Sequence, residues 1–316
     1  MNAASLNERI TALEAAFREK DATLSLTRGA DMAKYTTLHL GGPADLLACP
    51  DRTEQVPLLL QEASKLNVPV LIMGNGSNLL VKDGGVRGLV VRLCRTMQRI
   101  EVDGCRVSAE AGAMLSTVSM AAAEANLAGL TWASGIPGTV GGGTYMNAGA
   151  YGGELAQVIA LVEGYDLQGN PFCYTGEEMQ FRHRYSRLMD EEKLITRVTF
   201  QLQPGKREEL LAEMVDFNRR RAEKQPLTKF SAGSTFKRPV GGYASQMIDE
   251  CGLKGVSVGG AQVSEKHAGF CINNGGTAAD FLALMAHVQQ VVQAKFGVLL
   301  EPEVQILGED APVHKI

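Results

Sequence analysis

Gly74-Asn75-Gly76-Ser77-Asn78, directly after the apolar run Val68-Pro69-Val70-Leu71-Ile72-Met73, and Gly135-Ile136-Pro137-Gly138-Thr139-Val140-Gly141-Gly142-Gly143 decide the reading of this chain. Glycine has no Cβ, so the backbone can approach a ligand closely and successive N–H groups can form an anion-binding nest. A phosphate-cleaving loop closes its glycines with Lys-Ser/Thr. Here Gly76 is followed by Ser77 and Asn78, and Gly143 by Thr144 and Tyr145. Any phosphate is therefore held by backbone amides and neutral side chains, which suits a diphosphate that is kept and not cleaved. The dinucleotide G-x-G-x-x-G is also absent, because Leu79 stands where its third glycine belongs. Asn147-Ala148-Gly149-Ala150-Tyr151-Gly152 follows the second loop almost at once. So many small residues in succession imply a backbone lying against a large flat ligand. Taken singly, the first loop could equally be a tight turn and the second a glycine-rich crossover.

Composition sets the frame. The chain has 316 residues, 45% of them hydrophobic, enough for a sizeable core in roughly two or three domains. A net charge of -4 gives nucleic-acid binding no support. Met1-Asn2-Ala3-Ala4-Ser5 lacks the basic and apolar regions of a signal peptide, and no apolar run nears membrane-spanning length. Cys49, Cys94, Cys105, Cys173, Cys251 and Cys271 are scattered, with no C-x-x-C and no histidine at zinc-ligand spacing. They read as separate reduced thiols in a cytoplasmic protein, and no metal site is expected.

Outward from the first loop, Asp51 to Leu66 reads as an amphipathic helix on Val56, Leu59, Leu60 and Ala63, with Asp51 as N-cap. Leu79-Leu80-Val81 and Gly88-Leu89-Val90-Val91 read as short strands. Arg99 to Ala109 reads as a hairpin turning at Asp103-Gly104, and Val158 to Phe172 as another turning at Gln168-Gly169-Asn170. Ser116 to Ala125 is a small-residue helix, and Leu194 to Leu202 alternates as a strand. Lys206 to Lys224 is a charged helix at a domain junction, with Leu210, Leu211, Met214, Val215 and Phe217 as its apolar positions. Beyond it, Tyr243 to Glu250 and Thr277 to Phe296 read as helices, and Val256 to Val258, Phe270 to Ile272 and Val304 to Leu307 as strands. The order is mixed α+β with few clean βαβ units.

Chemistry-bearing residues stand in four places. Phe181-Arg182-His183-Arg184-Tyr185-Ser186 offers two guanidiniums, which suit carboxylate or phosphate, though a solvated turn reads the same way. Lys224-Gln225-Pro226 ends the charged helix, where a cation is favoured in any case. Gly233-Ser234-Thr235-Phe236-Lys237-Arg238-Pro239 sets a hydroxyl beside a glycine, then two cations; it lacks the G-x-S-x-G elbow of an acyl-transfer nucleophile. Glu301-Pro302-Glu303-Val304 opens a late strand.

As an ordered set these segments closely resemble the UDP-N-acetylenolpyruvoylglucosamine reductase (MurB) family. The resemblance runs from about Tyr35 to Gly308. It is carried by Thr36-Thr37 through Gly41-Gly42-Pro43-Ala44-Asp45, GNGSNLLV at Gly74–Val81, SGIPGTVGG at Ser134–Gly142 and MNAGAYG at Met146–Gly152. KQP at Lys224–Pro226, GSTFKRP at Gly233–Pro239, SEKHAGFCIN at Ser264–Asn273 and LEPEV at Leu300–Val304 complete it. There is no room between Tyr185 and Lys224 for an extra tyrosine-bearing loop, so the shorter (type II) subtype, with a more open cleft, is indicated. His183-Arg184 replaces the family's usual Tyr-Arg.

The resemblance implies an α+β fold: a two-part FAD-binding module of the vanillyl-alcohol-oxidase (PCMH) type at 1–95 and 96–205, and a substrate-binding α+β domain at 206–316. It implies NADPH-dependent, FAD-mediated reduction of the enolpyruvyl ether UDP-N-acetyl-3-O-(1-carboxyvinyl)-glucosamine to UDP-N-acetylmuramate for peptidoglycan, by a cytoplasmic monomer. FAD, held non-covalently, would lie against Gly74, Asn75, Gly76, Ser77, Asn78, Leu79, Ser134, Gly135, Ile136, Pro137, Gly138, Val140, Gly141, Gly142, Asn147, Ala148 and Gly149. Hydride would come from flavin N5 and the proton from Ser234. Arg184 (or Arg182, two residues upstream) would offset charge on the substrate carboxylate, and Glu303, if protonated, would donate a hydrogen bond to it. Lys224 and Arg238 match positions near the substrate diphosphate. A flavin oxidase of the same superfamily and a non-catalytic sugar-nucleotide sensor are the competing readings. The Ser234, Arg184 and Glu303 set speaks against both.

Overall fold

The computed structural model describes residues 5–311, so the first four residues of the N-terminal stretch and the tail after Ala311 lie outside it. The described chain forms two compact units. The first comprises 1–28, 45–75 and 88–220, and the second 29–44, 76–87 and 221–316. Two short segments, 29–44 and 76–87, thus belong to the C-terminal unit although they precede most of the first unit in sequence.

The first unit holds two sheets. In one, Ser25–Asp31, Pro43–Cys49, Val86–Arg92 and Val70–Met73 lie in that order, the last two parallel with Val70 opposite Leu89. In the other, Pro171–Thr175, Ile159–Asp166, Lys193–Gln201, Arg106–Glu110 and Ile100–Asp103 form an antiparallel series. Both expected hairpins are present. Asp103 pairs with Arg106 around Gly104, whose φ of +55° favours glycine. Asp166 accepts from the N–H groups of Gln168 and Asn170, folding the other turn around Gly169 at φ +79°. One core runs through the unit from Leu13 and Phe17 of the helix Leu6–Lys20, by Leu59 and Leu60, to Val198 and Phe200.

The helix expected from Asp51 begins later, as Gln55–Lys65, and Asp51 is not its cap. The Asp51 N–H is instead taken by the Gln55 side chain, which is 2% exposed and itself donates to Asp21. The helix Arg207–Lys224 buries Leu210 and Met214, while Val215, counted above among its apolar positions, is 69% exposed. At 3.6 residues per turn, position 215 lies about 100° from 214, off the buried stripe.

A charged cluster closes the far edge of the antiparallel sheet. Glu191 pairs with Lys193 at 2.6 Å and with Arg187, and Tyr174 donates to it at 3.0 Å. Burial alone would raise the Glu191 carboxyl, but these hydrogen bonds hold it down, to about 2 against an ordinary 4.5. A carboxyl lowered on folding contributes stability above its unfolded value and loses it as pH falls through the folded value. Glu191→Gln is therefore expected to lower the melting temperature at pH 7. That difference should shrink as pH falls from about 4.5 to about 2. A constant difference across pH-dependent melts would contradict this.

In the second unit Phe230–Ser231, Cys271–Asn273, Ala261–Val263 and Ser257–Val258 form an antiparallel sheet, and Gln305–Leu307 runs parallel to Leu79–Val81. The helix Ala278–Phe296 packs on this sheet through Ala278, Phe281, Leu284, Met285, Val288 and Val292, a helical repeat. Thr277 and Asp280 form its capping box, both Asp83 oxygens accept from Ala278 and Ala279, and Gly297 ends it at φ +69°. Among the described residues, no helix is long and apolar enough to cross a membrane.

Candidate active site

The two glycine loops meet within the first unit. Gly74 lies so close to the second loop that a Cβ there would stand 2.2 Å from Thr139 Oγ1. The Asn75 amide bridges the loops, donating to the Pro137 carbonyl at 2.7 Å and accepting from the buried Cys94 thiol at 3.2 Å. Burial pushes the Cys94 thiol up, which keeps its proton in place as a donor. The backbone N–H groups of Asn75, Gly138 and Thr139 donate to no group among the described residues. Together they offer an anion a set of donors from both loops.

The second loop is not all loop. Val140–Tyr145 is a short helix, and Thr139 caps it by accepting from the Gly142 N–H. Part of the glycine density serves packing. A Cβ on Gly141 would stand 2.9 Å from that of Ala111, and one on Gly143 2.7 Å from Leu115. Gly142 is exposed and meets only Thr139 Oγ1, at 3.4 Å.

Asn147, fully buried at φ +46°, ties the next stretch to the arginine turn. Its Nδ2 donates to the Arg182 carbonyl at 2.9 Å and its Oδ1 accepts from Ala156. Arg184 donates to the carbonyls of Asn147 at 3.4 Å and Gly149 at 3.1 Å. It does so from φ +53°, a conformation costly for a side chain of this size and one that tends to persist at functional sites. Arg182 is exposed, its guanidinium 5.0 Å from the Tyr185 ring centre. The two arginines are thus separated by their surroundings: one is clamped by the glycine-rich stretch, the other faces solvent.

Within the second unit Ser234 and Glu303 come together. The chain at Thr235–Lys237 bridges antiparallel to Glu301–Glu303, with Phe236 opposite Pro302. Glu303 N–H donates to the Thr235 carbonyl and Lys237 N–H to the Glu301 carbonyl, at 2.9 and 2.8 Å. Buried Thr235 anchors the ribbon, its hydroxyl accepting from Cys271 N–H at 2.9 Å. Ser234 beside it is half-buried, and its hydroxyl has no hydrogen-bond partner among the described residues. Asn78 completes the group: its Nδ2 donates to the Glu303 carbonyl at 3.2 Å and its carbonyl accepts from Gln305 N–H.

The same unit has an open cavity of about 470 Å³ lined by Tyr243, Gln246, Asp249, Lys254, Lys266 and His267. Arg238 reaches its edge, with its guanidinium 4.1 Å from the Tyr243 ring centre. Lys266 crosses to the Ala222 carbonyl in the last turn that carries Lys224. Burial, with Lys254 and Lys224 adding positive charge nearby, holds the His267 imidazole below its ordinary value. Arg238 and the helix end bearing Lys224 thus each adjoin residues that line the cavity, Tyr243 and Lys266.

Residues 225–307 match the C-terminal domain of UDP-N-acetylenolpyruvoylglucosamine reductase, and residues 44–168 match an FAD binding domain. The UDP-N-acetylenolpyruvoylglucosamine reductase of Caldanaerobacter subterraneus subsp. tengcongensis is 47% identical over 88% of this chain and 92% of its own. This chain belongs to the UDP-N-acetylenolpyruvoylglucosamine reductase family. The Levilactobacillus brevis member is 46% identical over 92% of this chain and 96% of its own. The crystal structure of the Thermus caldophilus enzyme superposes with a TM-score of 0.78 at 36% identity, covering 90% of this chain and 99% of that one.

The cavity residues Tyr243, Lys254 and His267 come from three separate segments, and of these only His267 belongs to a family signature, SEKHAGFCIN; nothing in the sequence around Cys94 marks it as a lock on the first glycine loop.

Proposed function

We propose that Ser234, Arg184 and Glu303 carry the family reaction in this chain, the reduction of UDP-N-acetylglucosamine enolpyruvate to UDP-N-acetylmuramate in peptidoglycan synthesis, with Lys224 and Arg238 holding the substrate diphosphate. The chain is an FAD-dependent oxidoreductase with NADPH as reductant. Its glycine loops fit FAD: the unpartnered amides of Asn75, Gly138 and Thr139 match a retained diphosphate with no lysine beside it. When held there, FAD would supply the redox chemistry, taking hydride from NADPH and passing it to the enolpyruvyl methylene carbon.

Addition there leaves an electron pair on the neighbouring carbon, beside the ether oxygen and the carboxylate. Ser234 O–H gives its proton to that carbon and recovers one from solvent. A hydroxyl is a weak acid, but a carbanion-like carbon is a strong base, so a weak acid correctly placed suffices. Arg184 stabilises the charge developing on the carboxylate, and its clamped guanidinium is preorganised for this. Glu303 borders the same carboxylate. We assign FAD to 1–95 and 96–205 and substrate to 206–316, in a cytoplasmic monomer, with 29–44 and 76–87 grouping with the substrate part.

The observation that carries this reading is the ribbon pairing Thr235–Lys237 with Glu301–Glu303, which sets Ser234 next to it in the chain and is joined by Asn78 at the Glu303 carbonyl. It is supported by the free Ser234 hydroxyl. Anaerobic mixing tests it. NADPH should bleach the yellow protein, and the enolpyruvyl substrate should then restore the colour. Bleaching without substrate-driven recovery would overturn the reading.

A further inference from the structure

We propose that Tyr243 is a positioning residue for substrate binding: it seats the Arg238 guanidinium at the mouth of the 470 Å³ cavity, ready for the substrate's diphosphate. The inference rests on the reading of Arg238 given above. An exposed arginine ordinarily samples many rotamers, and a ligand that orders it must offset that lost freedom. Arg238 is already held at two points. Its guanidinium lies over the Tyr243 ring at 4.1 Å, and its Nε–H donates to the Gly242 carbonyl at 3.3 Å.

This seating uses one face and one N–H. The two terminal nitrogens have no partner among the described residues. They form the fork that grips phosphate with two parallel hydrogen bonds. The Tyr243 backbone is fixed, because its carbonyl accepts from Gln246 and Met247 N–H at the start of the helix Ala244–Glu250, while the residue is 54% exposed. Its ring serves as both the seat for Arg238 and a wall of the cavity.

The neighbouring cations are committed elsewhere. Lys237 pairs with Glu301 at 3.3 Å, Lys254 with Asp249 at 2.5 Å, and Lys266 donates to the Ala222 carbonyl. Lys224 has no ion-pair partner among the described residues. Arg238 and Lys224 are therefore the two cations at this cavity free to meet a diphosphate without first breaking a contact of their own.

UDP binding to the FAD-loaded enzyme, measured by calorimetry, tests the inference through a double-mutant cycle. Tyr243→Leu should weaken UDP binding roughly three- to tenfold, while Tyr243→Phe, which keeps an aromatic face, should stay within about twofold of the native protein. KM for the enolpyruvyl substrate should rise by the same factor as the UDP dissociation constant. In the Arg238→Ala background, Tyr243→Leu should add no further loss. An additive effect there, or native binding by Tyr243→Leu while Arg238→Ala binds weakly, would overturn the positioning role and leave the reading of Arg238 standing. Native UDP binding by Arg238→Ala would overturn that reading, and the inference with it. Thermal melts of each variant show whether it is folded, and if Tyr243→Leu is not, Tyr243→Gln, which also lacks an aromatic face, takes its place with the same expected loss.

Discussion

Ser234→Ala is expected to be reduced by NADPH at close to the native rate, yet to reduce the enolpyruvyl substrate roughly 10²- to 10⁴-fold more slowly, the ordinary weight of a general acid. The asymmetry follows from where the serine stands. Its hydroxyl lies on the ribbon shared with Glu303 and makes no hydrogen bond to any described residue, so removing it breaks no structural contact. The anchoring of this turn rests on Thr235, whose side chain and backbone both remain in place in the variant. Flavin reduction needs no proton from Ser234, whereas substrate reduction requires one at the carbon that receives no hydride. Single-turnover absorbance traces separate the two halves. Equal loss in both would mean that Ser234 supports the cofactor or the fold and is not the proton donor. Slow substrate reduction should also show a solvent deuterium effect at least as large as the native one, because proton delivery from water then limits the step.

How much of this was legible beforehand depends on the range of the interactions concerned. Turns and caps are written in adjacent residues, so the hairpins at Asp103-Gly104 and Gln168-Asn170 and the cap at Thr277 were readable from local chemistry. Asp51 misled for the same reason. A competing side chain, Gln55, captured its N–H, and that depends on Asp21, a residue more than thirty positions away. The strands Ser25–Asp31 and Pro43–Cys49 carried no strong alternation and drew no attention, although their sheet helps build the core. The site shows a similar split. Motifs propose Ser234, Arg184 and Glu303 singly, but the segments carrying Ser234 and Glu303 are joined only by the bridge of Phe236 to Pro302, far apart in the chain. Arg184 and Arg182 are equivalent as letters. Only tertiary contacts distinguish the guanidinium held by Asn147 and Gly149 from the one on the Tyr185 ring. In the second glycine loop, whose sequence reads as ligand contact or as a crossover, Gly141 and Gly143 lie against Ala111 and Leu115, a packing that no local pattern shows.

Gly74 behaves differently from those two, and Gly74→Ala is expected to weaken FAD binding about 10- to 100-fold, as overpacking of about 1–3 kcal/mol translated into affinity. Its backbone angles suit any residue, since Gly74 is not among the positive-φ glycines, so strain of the chain is not the cause. The cause is the 2.2 Å separation between the new methyl carbon and Thr139 Oγ1. Two responses are open. The loops can move apart, which pulls the Asn75 amide from the Pro137 carbonyl and disperses the backbone donors of the two loops. Alternatively Thr139 can rotate, which breaks its cap on the Gly142 N–H and loosens the helix Val140–Tyr145. Either way the cofactor cradle is damaged while the core behind it is untouched. Titration of apoprotein with FAD, followed by flavin fluorescence, measures the loss, and the melting temperature of the apoprotein should change far less than that of the FAD-loaded form. The double variant Gly74→Ala with Thr139→Ala discriminates further. It removes the oxygen responsible for the clash, and the Thr139 Cβ then stands at 3.3 Å, a contact that a small shift can relieve. The lost cap costs about 1 kcal/mol, less than the clash it removes at the upper end of the expected range. The double variant should therefore bind FAD more tightly than Gly74→Ala alone and less tightly than the native protein. If Gly74→Ala bound FAD as the native protein does, the contact between the two loops would not govern cofactor retention.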